Sequence, residues 1–410
     1  MYDVYQIRKL FPMLDNKTMQ GKPLVYLDNA STTFKPYAVI DAEMDYYKNH
    51  TANSHRGDYD LLYTMDVKVE ETRKTVADFI KCAANEVVFT SGDTMSLNLV
   101  AWGYARKILK PDDEILLSVA EHASNVLPWY EIAHLTGAKI KFIPLDENGR
   151  LTPNNVKKAM TSKTRIVAVA HIGNVLGFCC DIKQISKVVH DFNAVLVVDG
   201  AQSVPHIPTN FKDWDIDFLT FSSHKMCGPT GVGILVGKYQ LLDFMDPFLT
   251  GGGMNVSFDT EMHMEPLPAP TKFEAGTLNL AGICGFKAAI EFIQSIGLDN
   301  IHNHEIELYN YAMDKLNKID DVIVYNKNAN GGIITFNKKG IFSQDEATLL
   351  NSKGIAVRSG QHCAKILDRY LKTNATLRAS TYLYTTKEEI DALIDALING
   401  GDILDAYFSN

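Results

Sequence analysis

The stretch Phe218-Leu-Thr-Phe-Ser-Ser-His-Lys225, followed by Gly228-Pro-Thr-Gly-Val-Gly233, decides the fold. Phe, Leu, Thr and Phe run without a break into a Ser/His turn that ends in a lysine. A strand with no polar face belongs inside a sheet covered on both sides. The turn then lies at the strand's end, where open α/β sheets bind their ligands. A lysine there can form a Schiff base if its surroundings favour the neutral amine. Ser222 and His224 can hydrogen-bond a phosphate. Taken alone, the segment reads equally well as a surface turn with a solvated lysine.

Working outward, the same pattern recurs. Residues 86–90, 114–118, 139–144, 165–170, 195–198 and 233–236 read as further strands. Helical patterns fill 94–108, 126–136, 152–160 and 182–191. Apolar strands alternating with amphipathic helices predict an α/β layered domain. Residues 245–275 carry Gly251-Gly-Gly253 and Pro266, Pro268 and Pro270 with little periodicity, and read as a long loop. Beyond it, 282–296 and 298–318 read as helices. Residues 322–325, 332–336 and 354–357 read as strands, and 344–350, 366–371 and 387–398 as helices. This is a smaller α+β domain whose first strands are antiparallel, because short connections join them. The expected division is 20–290 for the large domain, with 1–19 and 291–410 forming the small one.

Four more strand ends carry polar groups. Val195-Leu-Val-Val-Asp199-Gly-Ala-Gln202 ends in a carboxylate. A pyridoxal-phosphate ring uses such an acid opposite its nitrogen, because a protonated pyridinium is the better electron sink. A turn or helix cap is the plainer reading of Asp199. Phe89-Thr-Ser-Gly-Asp-Thr94 opens a helix, whose free N–H groups and the Thr94 hydroxyl suit a phosphate; an ordinary N-cap looks the same. His122, in Ser118-Val-Ala-Glu-His122, can stack on an aromatic ring and relay protons, or can be a satisfied loop histidine. Asn174, in Ala170-His-Ile-Gly-Asn174, can bond a ring hydroxyl, or can be a turn asparagine. Together the five strand ends offer a phosphate site, a stacking ring, an amide, a carboxylate and a lysine, in that order.

The 410-residue chain is long enough for two or three domains. Its composition, 46% apolar and 22% charged, is that of an ordinary globular protein. A formal charge of -9 argues against nucleic-acid binding by counterion release and leaves a basic protein partner open. The six cysteines form no Cys-x-x-Cys pair and no zinc-type spacing, so no metal site is expected. Scattered free thiols suit a reducing compartment. Residues 1–10 have no apolar core of signal-peptide type, and no apolar run reaches the roughly 18 residues of a membrane span. The expectation is a cytoplasmic protein away from the membrane; an organelle protein with its transit peptide removed would look the same.

The sequence resembles the cysteine desulfurases of the class V aminotransferase family, and their SUF-type (group II) branch most closely. The resemblance runs over nearly the whole chain. It rests on Tyr26-Leu-Asp-Asn-Ala30, Ser54-His-Arg-Gly57, Glu121-His122, Asn174-Val-Leu-Gly177, Val198-Asp-Gly-Ala-Gln202, Ser223-His-Lys225, Gly228-Pro-Thr-Gly231, Phe273-Glu-Ala-Gly-Thr277, Arg358-Ser-Gly-Gln-His-Cys-Ala364 and Arg378-Ala-Ser380. It implies an aminotransferase-like fold of type I, with a mostly parallel seven-stranded sheet. It implies that Lys225 holds pyridoxal phosphate and Asp199 pairs with the ring nitrogen. His122 would stack on the ring, with Asn174 and Gln202 near its hydroxyl, and Thr94, Ser222 and His224 would bind the phosphate. Thr277 would reach the phosphate of a neighbouring subunit, which implies a homodimer. Arg378, Arg358, His55 and Asn174 would lie on the substrate side, Arg378 holding its carboxylate by a bidentate contact.

Cys363 separates a desulfurase from an aminotransferase. It follows a strand and a Gly turn and precedes a helix, so a helix N-terminus, Arg358 and His362 are placed to lower its thiol pKa. Its polar flank argues against a structural buried cysteine. The other five cysteines read as structural. The implied reaction converts L-cysteine to L-alanine with a persulfide on Cys363, and feeds a sulfur acceptor of iron–sulfur cluster assembly. The short Arg358–Cys363 segment implies that the acceptor comes to the cysteine. A selenocysteine lyase or another class V lyase or aminotransferase is the alternative, and a non-catalytic scaffold is a second. Asp93 and Met95 flank Thr94 where Thr and Glu are usual, Ser31 stands where Ala is usual, and Leu278 where Pro is common.

Overall fold

Seven strands form the central sheet of the computed structural model, which describes residues 2–54 and 57–401. They are β1 (Val87–Thr90), β2 (Glu114–Ser118), β3 (Lys139–Ile143), β4 (Thr164–Ala170), β5 (Val195–Asp199), β6 (Phe218–Ser222) and β7 (Gly233–Gly237). Their spatial order is β1-β7-β6-β5-β4-β2-β3. β2 through β6 pair in parallel, and β7 lies antiparallel between β1 and β6. All seven are the strands expected from the apolar runs.

The alternation of side chains explains why these runs, the edge strand β3 with its exposed Lys139 and Lys141 excepted, have no polar face. Val167, Val169, Leu196, Val198, Leu219 and Phe221 enter one core. Ile166, Ala168, Val197 and Phe218 enter a second core on the other face. Each core is roofed by helices, Leu280–Ile296 on one side and Leu127–Thr136 on the other. The burial of these side chains, at about 25 cal/mol per Å² of apolar surface, is the main force holding sheet to helices.

A second, antiparallel sheet of order β8-β9-β11-β10 is built from β8 (Val322–Val324), β9 (Ile333–Lys338), β10 (Arg358–Gly360) and β11 (Thr376–Ser380). The early segment Val25–Tyr26 pairs in parallel with Ile355–Ala356. Val25 and Leu27 accordingly share a core with Phe336, Leu377 and Leu393. The helix Lys387–Asn399 closes this core with Ile390, Leu393, Ile394 and Leu397, one face of a 3.6-residue period. Thr386 and Glu389 form a capping box at its start.

Two expectations are corrected here. Residues 94–108 are not one α-helix: a helix Asp93–Val100 gives way to a π turn at Ala101–Ala105. The break sits where Gly103 lets the backbone of Asp246 approach, and a Cβ there would lie 2.5 Å from the Asp246 carbonyl oxygen. The long loop at 245–275 contains a hairpin, Asn255–Phe258 with Met264–Pro266, whose exposed residues follow no burial period. No single described helix is long and apolar enough to cross a membrane. Leu280–Ile296 and Leu298–Leu316 pass that test only together, are bent by 72°, and bury their apolar residues in the cores.

Candidate active site

The C-terminal ends of the parallel strands open into a cavity of about 200 Å³. Thr94 follows β1, His122 and Ser124 follow β2, and Asn174 follows β4. Asp199 ends β5 with Gln202 just beyond, and Ser222, His224 and Lys225 come from β6 and its turn. Arg358, His362 and Arg378 close the cavity from the small sheet, and Ala30 and Ser31 from the N-terminal segment. Ten residues expected at the site thus meet in one place.

One end of the cavity is made at the start of the helix Asp93–Val100. Its turn is held against β7 because Gly233 has no side chain; a Cβ there would lie 2.3 Å from the Gly92 Cα. The Asp93 N–H donates to Ser222 Oγ at 2.8 Å, and Thr94 Oγ1 lies 2.8 Å from Ser124 Oγ. His224 is pushed down to about 4 by burial and then by the Lys225 charge, so it is neutral at pH 7. Burial also depresses Lys225, against the pull of Asp199 and Asp93, which favours the amine a Schiff base needs.

The loop after β2 presents His122. Its Nδ1 accepts from the Ser124 N–H at 3.1 Å, which in the neutral ring leaves the proton on Nε2. Burial lowers the His122 pKa, and the Lys225 charge lowers it further. Beneath the loop, Asn125 donates to Glu121 at 2.8 Å and accepts from the Trp129 indole at 3.0 Å. Gln202 donates to the Ala30 carbonyl at 2.7 Å, which ties β5 to the N-terminal segment.

In the opposite wall, Arg358 of β10 and Arg378 of β11 are direct cross-strand partners. Like charges so placed repel. Arg378 contacts Asp28 Oδ1 at 3.1 Å, Ser31 Oγ at 3.0 Å and the Asn174 carbonyl at 2.9 Å, while Arg358 donates to Ser31 Oγ at 2.6 Å. Arg378 Nε, Asn174 Oδ1 and Asp93 Oδ1 are buried without partners. Such orphans fit a site shaped for a polar ligand.

Cys363 is exposed at the rim. Its carbonyl accepts from the Ala123 N–H at 2.7 Å, next to His122, and the His362 carbonyl accepts from Asn174 Nδ2 at 2.7 Å. His362 and Cys363 are both left-handed, with φ of 49° and 58°, a conformation that costs a non-glycine residue free energy. Two expected sources of thiol activation fail. The next helix, Asp368–Leu371, starts five residues after Cys363. His362 points Nε2 at Thr376 and is pushed down to about 3 by burial and then by the two arginines, so it brings no charge. Thr277 lines a different recess, with Ser54, Gly252 and Glu274. His55 lies outside the described residues.

Sequence reasoning missed Asp28 as the arginine partner and Glu274 as a brace. Glu274 accepts from the two terminal guanidinium nitrogens of Arg73 and from the Phe89 N–H, all at 2.8 Å. Asp28 and Glu274 lie within the motifs Tyr26–Ala30 and Phe273–Thr277, but only the fold brings them to their arginine partners, so their roles could not be read locally.

The chain matches the family Aminotransferase class-V over residues 25–393. A probable cysteine desulfurase of Halalkalibacterium halodurans is 43% identical over 396 residues, covering 96% of this chain and 97% of the relative. The crystal structure of the cysteine desulfurase CsdA from Escherichia coli is 36% identical, covers 98% of each chain and superposes with a TM-score of 0.90. The apo cysteine desulfurase of Thermococcus onnurineus NA1 gives 36%, 96% of each chain and 0.90. With a cavity of this construction and a match across most of its length, the chain belongs to the class-V aminotransferase family.

Proposed function

We propose that this protein is a pyridoxal-phosphate cysteine desulfurase, a sulfurtransferase that converts L-cysteine to L-alanine and carries the sulfur as a persulfide on Cys363. The observation that carries this reading is the exposed Cys363, fixed by its backbone beside His122 at the mouth of a cavity that holds Lys225 and two arginines. An aminotransferase has no use for that thiol.

Lys225 is the residue that would hold the cofactor, with Thr94, Ser222 and His224 at its phosphate, Asp199 at its ring nitrogen, His122 over its ring, and Asn174 and Gln202 at its hydroxyl. Bound there, pyridoxal phosphate supplies an electron sink conjugated with the substrate amine. Arg378 and Arg358 bind the substrate carboxylate, with Asn174 beside them; His55 belongs to the same group by resemblance. Lys225 Nζ, its ammonium form disfavoured by burial, takes the Cα proton. The Cys363 thiolate attacks the substrate sulfur. An S–S bond forms as the C–S bond breaks, the released Cβ takes a proton from His122 Nε2, and Lys225 Nζ returns a proton to Cα to give alanine.

The acceptor is a SUF-type partner of iron–sulfur cluster assembly. Cys363 lies three residues beyond β10, and its loop is tied at both His362 and Cys363, so the partner comes to the thiol. A cytoplasmic homodimer is the working form. Val256, Phe258, Met262 and Met264 expose apolar surface on the hairpin, and Thr277 lies outside its own cavity, as expected of groups that serve a second copy. Residues 20–290 form the large domain, and 1–19 with 291–410 the small one, with Val25 and Leu27 reaching into the small core.

The test is product analysis of cofactor-loaded protein with L-cysteine and a reductant, without a keto-acid. Equal alanine and sulfide are expected. Pyruvate and ammonia, or no product until a keto-acid is added, would contradict the assignment.

A further inference from the structure

Asp93 is a second carboxyl in the cavity, and the steps above do not use it. It is the first residue of the helix Asp93–Val100, follows Gly92, lines the cavity and is only 8% exposed. Its Oδ1 is buried with no partner, and its N–H is committed to Ser222 Oγ. The groups that face it are Thr220 and Ser222 from β6, Asp199 from β5 and Lys225 from the following turn, with Thr94 next to it on its own helix. His122 lies on another part of the same cavity, and Arg358 and Arg378 lie on the far wall.

We propose that Asp93 is held as a neutral carboxylic acid in the resting site, and that its ionisation sets an upper pH limit on retention of the cofactor's phosphate. This rests on the assignment of Thr94 and Ser222 to that phosphate. A phosphate dianion seated at Thr94 and Ser222 would lie next to Asp93, and Asp199 is already an acceptor on the same side. Three anionic groups in one enclosed space repel strongly, and taking up one proton relieves the repulsion. A protonated carboxyl also offers an O–H donor, which a carboxylate lacks. Burial, then the charge of Asp199, raises Asp93 to about 8, with the Thr220 hydroxyl and then the Lys225 charge acting in the opposite direction. A carboxyl with a raised folded-state pKa binds its proton more tightly than the unfolded chain does. Its contribution to stability therefore falls as pH rises from the ordinary carboxylate range towards about 8. Phosphate-ligand affinity falls as pH rises through the same titration.

The test uses the full-length apoprotein and deoxypyridoxine phosphate, which keeps ring and phosphate but has no aldehyde for Lys225. Affinity is measured between about pH 7.5 and 9.5, where a phosphate ester is already fully ionised. Wild type should weaken by up to about tenfold per pH unit above Asp93's titration. Asp93→Asn and Asp93→Thr should be flatter, and at the alkaline end should bind about tenfold tighter than wild type. Both variants share Lys225 with wild type, so its titration cancels in the comparison. Deoxypyridoxine without phosphate should show no such split. Parallel curves for wild type and both variants would overturn the proposal. If pyridoxal phosphate itself fails to bind wild type at any pH, the cofactor assignment falls and the proposal falls with it.

Discussion

On the main-sheet side of the cavity, each polar side chain stands at or just past the end of a buried strand. On the small-sheet side, Arg358 and Arg378 face each other within a ladder whose strands are three and five residues long. The first wall gathers groups that burial drives toward neutrality, Lys225, His122 and His224 among them. The second concentrates positive charge that Asp28 and Ser31 only partly offset. The difference supports the proposed division of work, in which one wall handles protons and the cofactor and the other captures the substrate carboxylate.

The largest effect should come from breaking the first wall. Lys225→Ala should lose the visible absorbance of lysine-bound cofactor and lower turnover by on the order of ten-thousand-fold; a normal spectrum would refute the assignment. At the rim, Cys363→Ser should keep the yellow cofactor-loaded protein and lower sulfide release by about a thousandfold. Unchanged release would remove Cys363 from the mechanism. In the second wall, Arg378→Lys keeps the charge but loses the fork that grips a carboxylate. It should raise the KM for L-cysteine by about a hundredfold, with the cofactor spectrum intact, a loss of about 2–3 kcal/mol. A spectral change matching the KM change would mean that the two walls are not separable.

A second comparison gives the smallest expected effect. Cys227 and Cys363 are both left-handed, with φ of 62° and 58°. Cys227 is fully buried, its N–H donates to Thr33 Oγ1 at 2.8 Å, and burial pushes its thiol up to about 12. Such a thiol stays protonated and packs as a small hydrophobe. Cys227→Ala should leave sulfide release within about twofold and cost about 1 kcal/mol of stability in a denaturant titration, the loss of one small buried group. A large loss of activity would show that environment does not separate the two cysteines.

The same contrast sets what could be read from sequence. Six of the seven strands are legible because both faces of each are buried, so each is an apolar run punctuated by a turn, while the edge strand β3 shows instead as alternation of exposed Lys139 and Lys141 with Ile140, Phe142 and Ile143. The site residues of that wall inherit this legibility, since each follows such a run. β10 and β11 are not legible: Arg358-Ser-Gly360 and Thr376-Leu-Arg-Ala-Ser380 are short and carry arginine where an apolar residue would mark a strand. Resemblance to relatives, rather than periodicity, pointed to Arg358, Arg378 and Cys363. The π turn after Val100 depends on a distant backbone meeting Gly103, and His362 looks like a cation until its burial is known.

The most direct test of the central claim is the mass of the protein after brief exposure to L-cysteine without reductant, followed by peptide mapping. One added sulfur, removable by reductant, is expected on the peptide carrying Cys363, together with one alanine released per site. Alanine or another product formed with no sulfur on that peptide, or sulfur carried on a different cysteine, would contradict it.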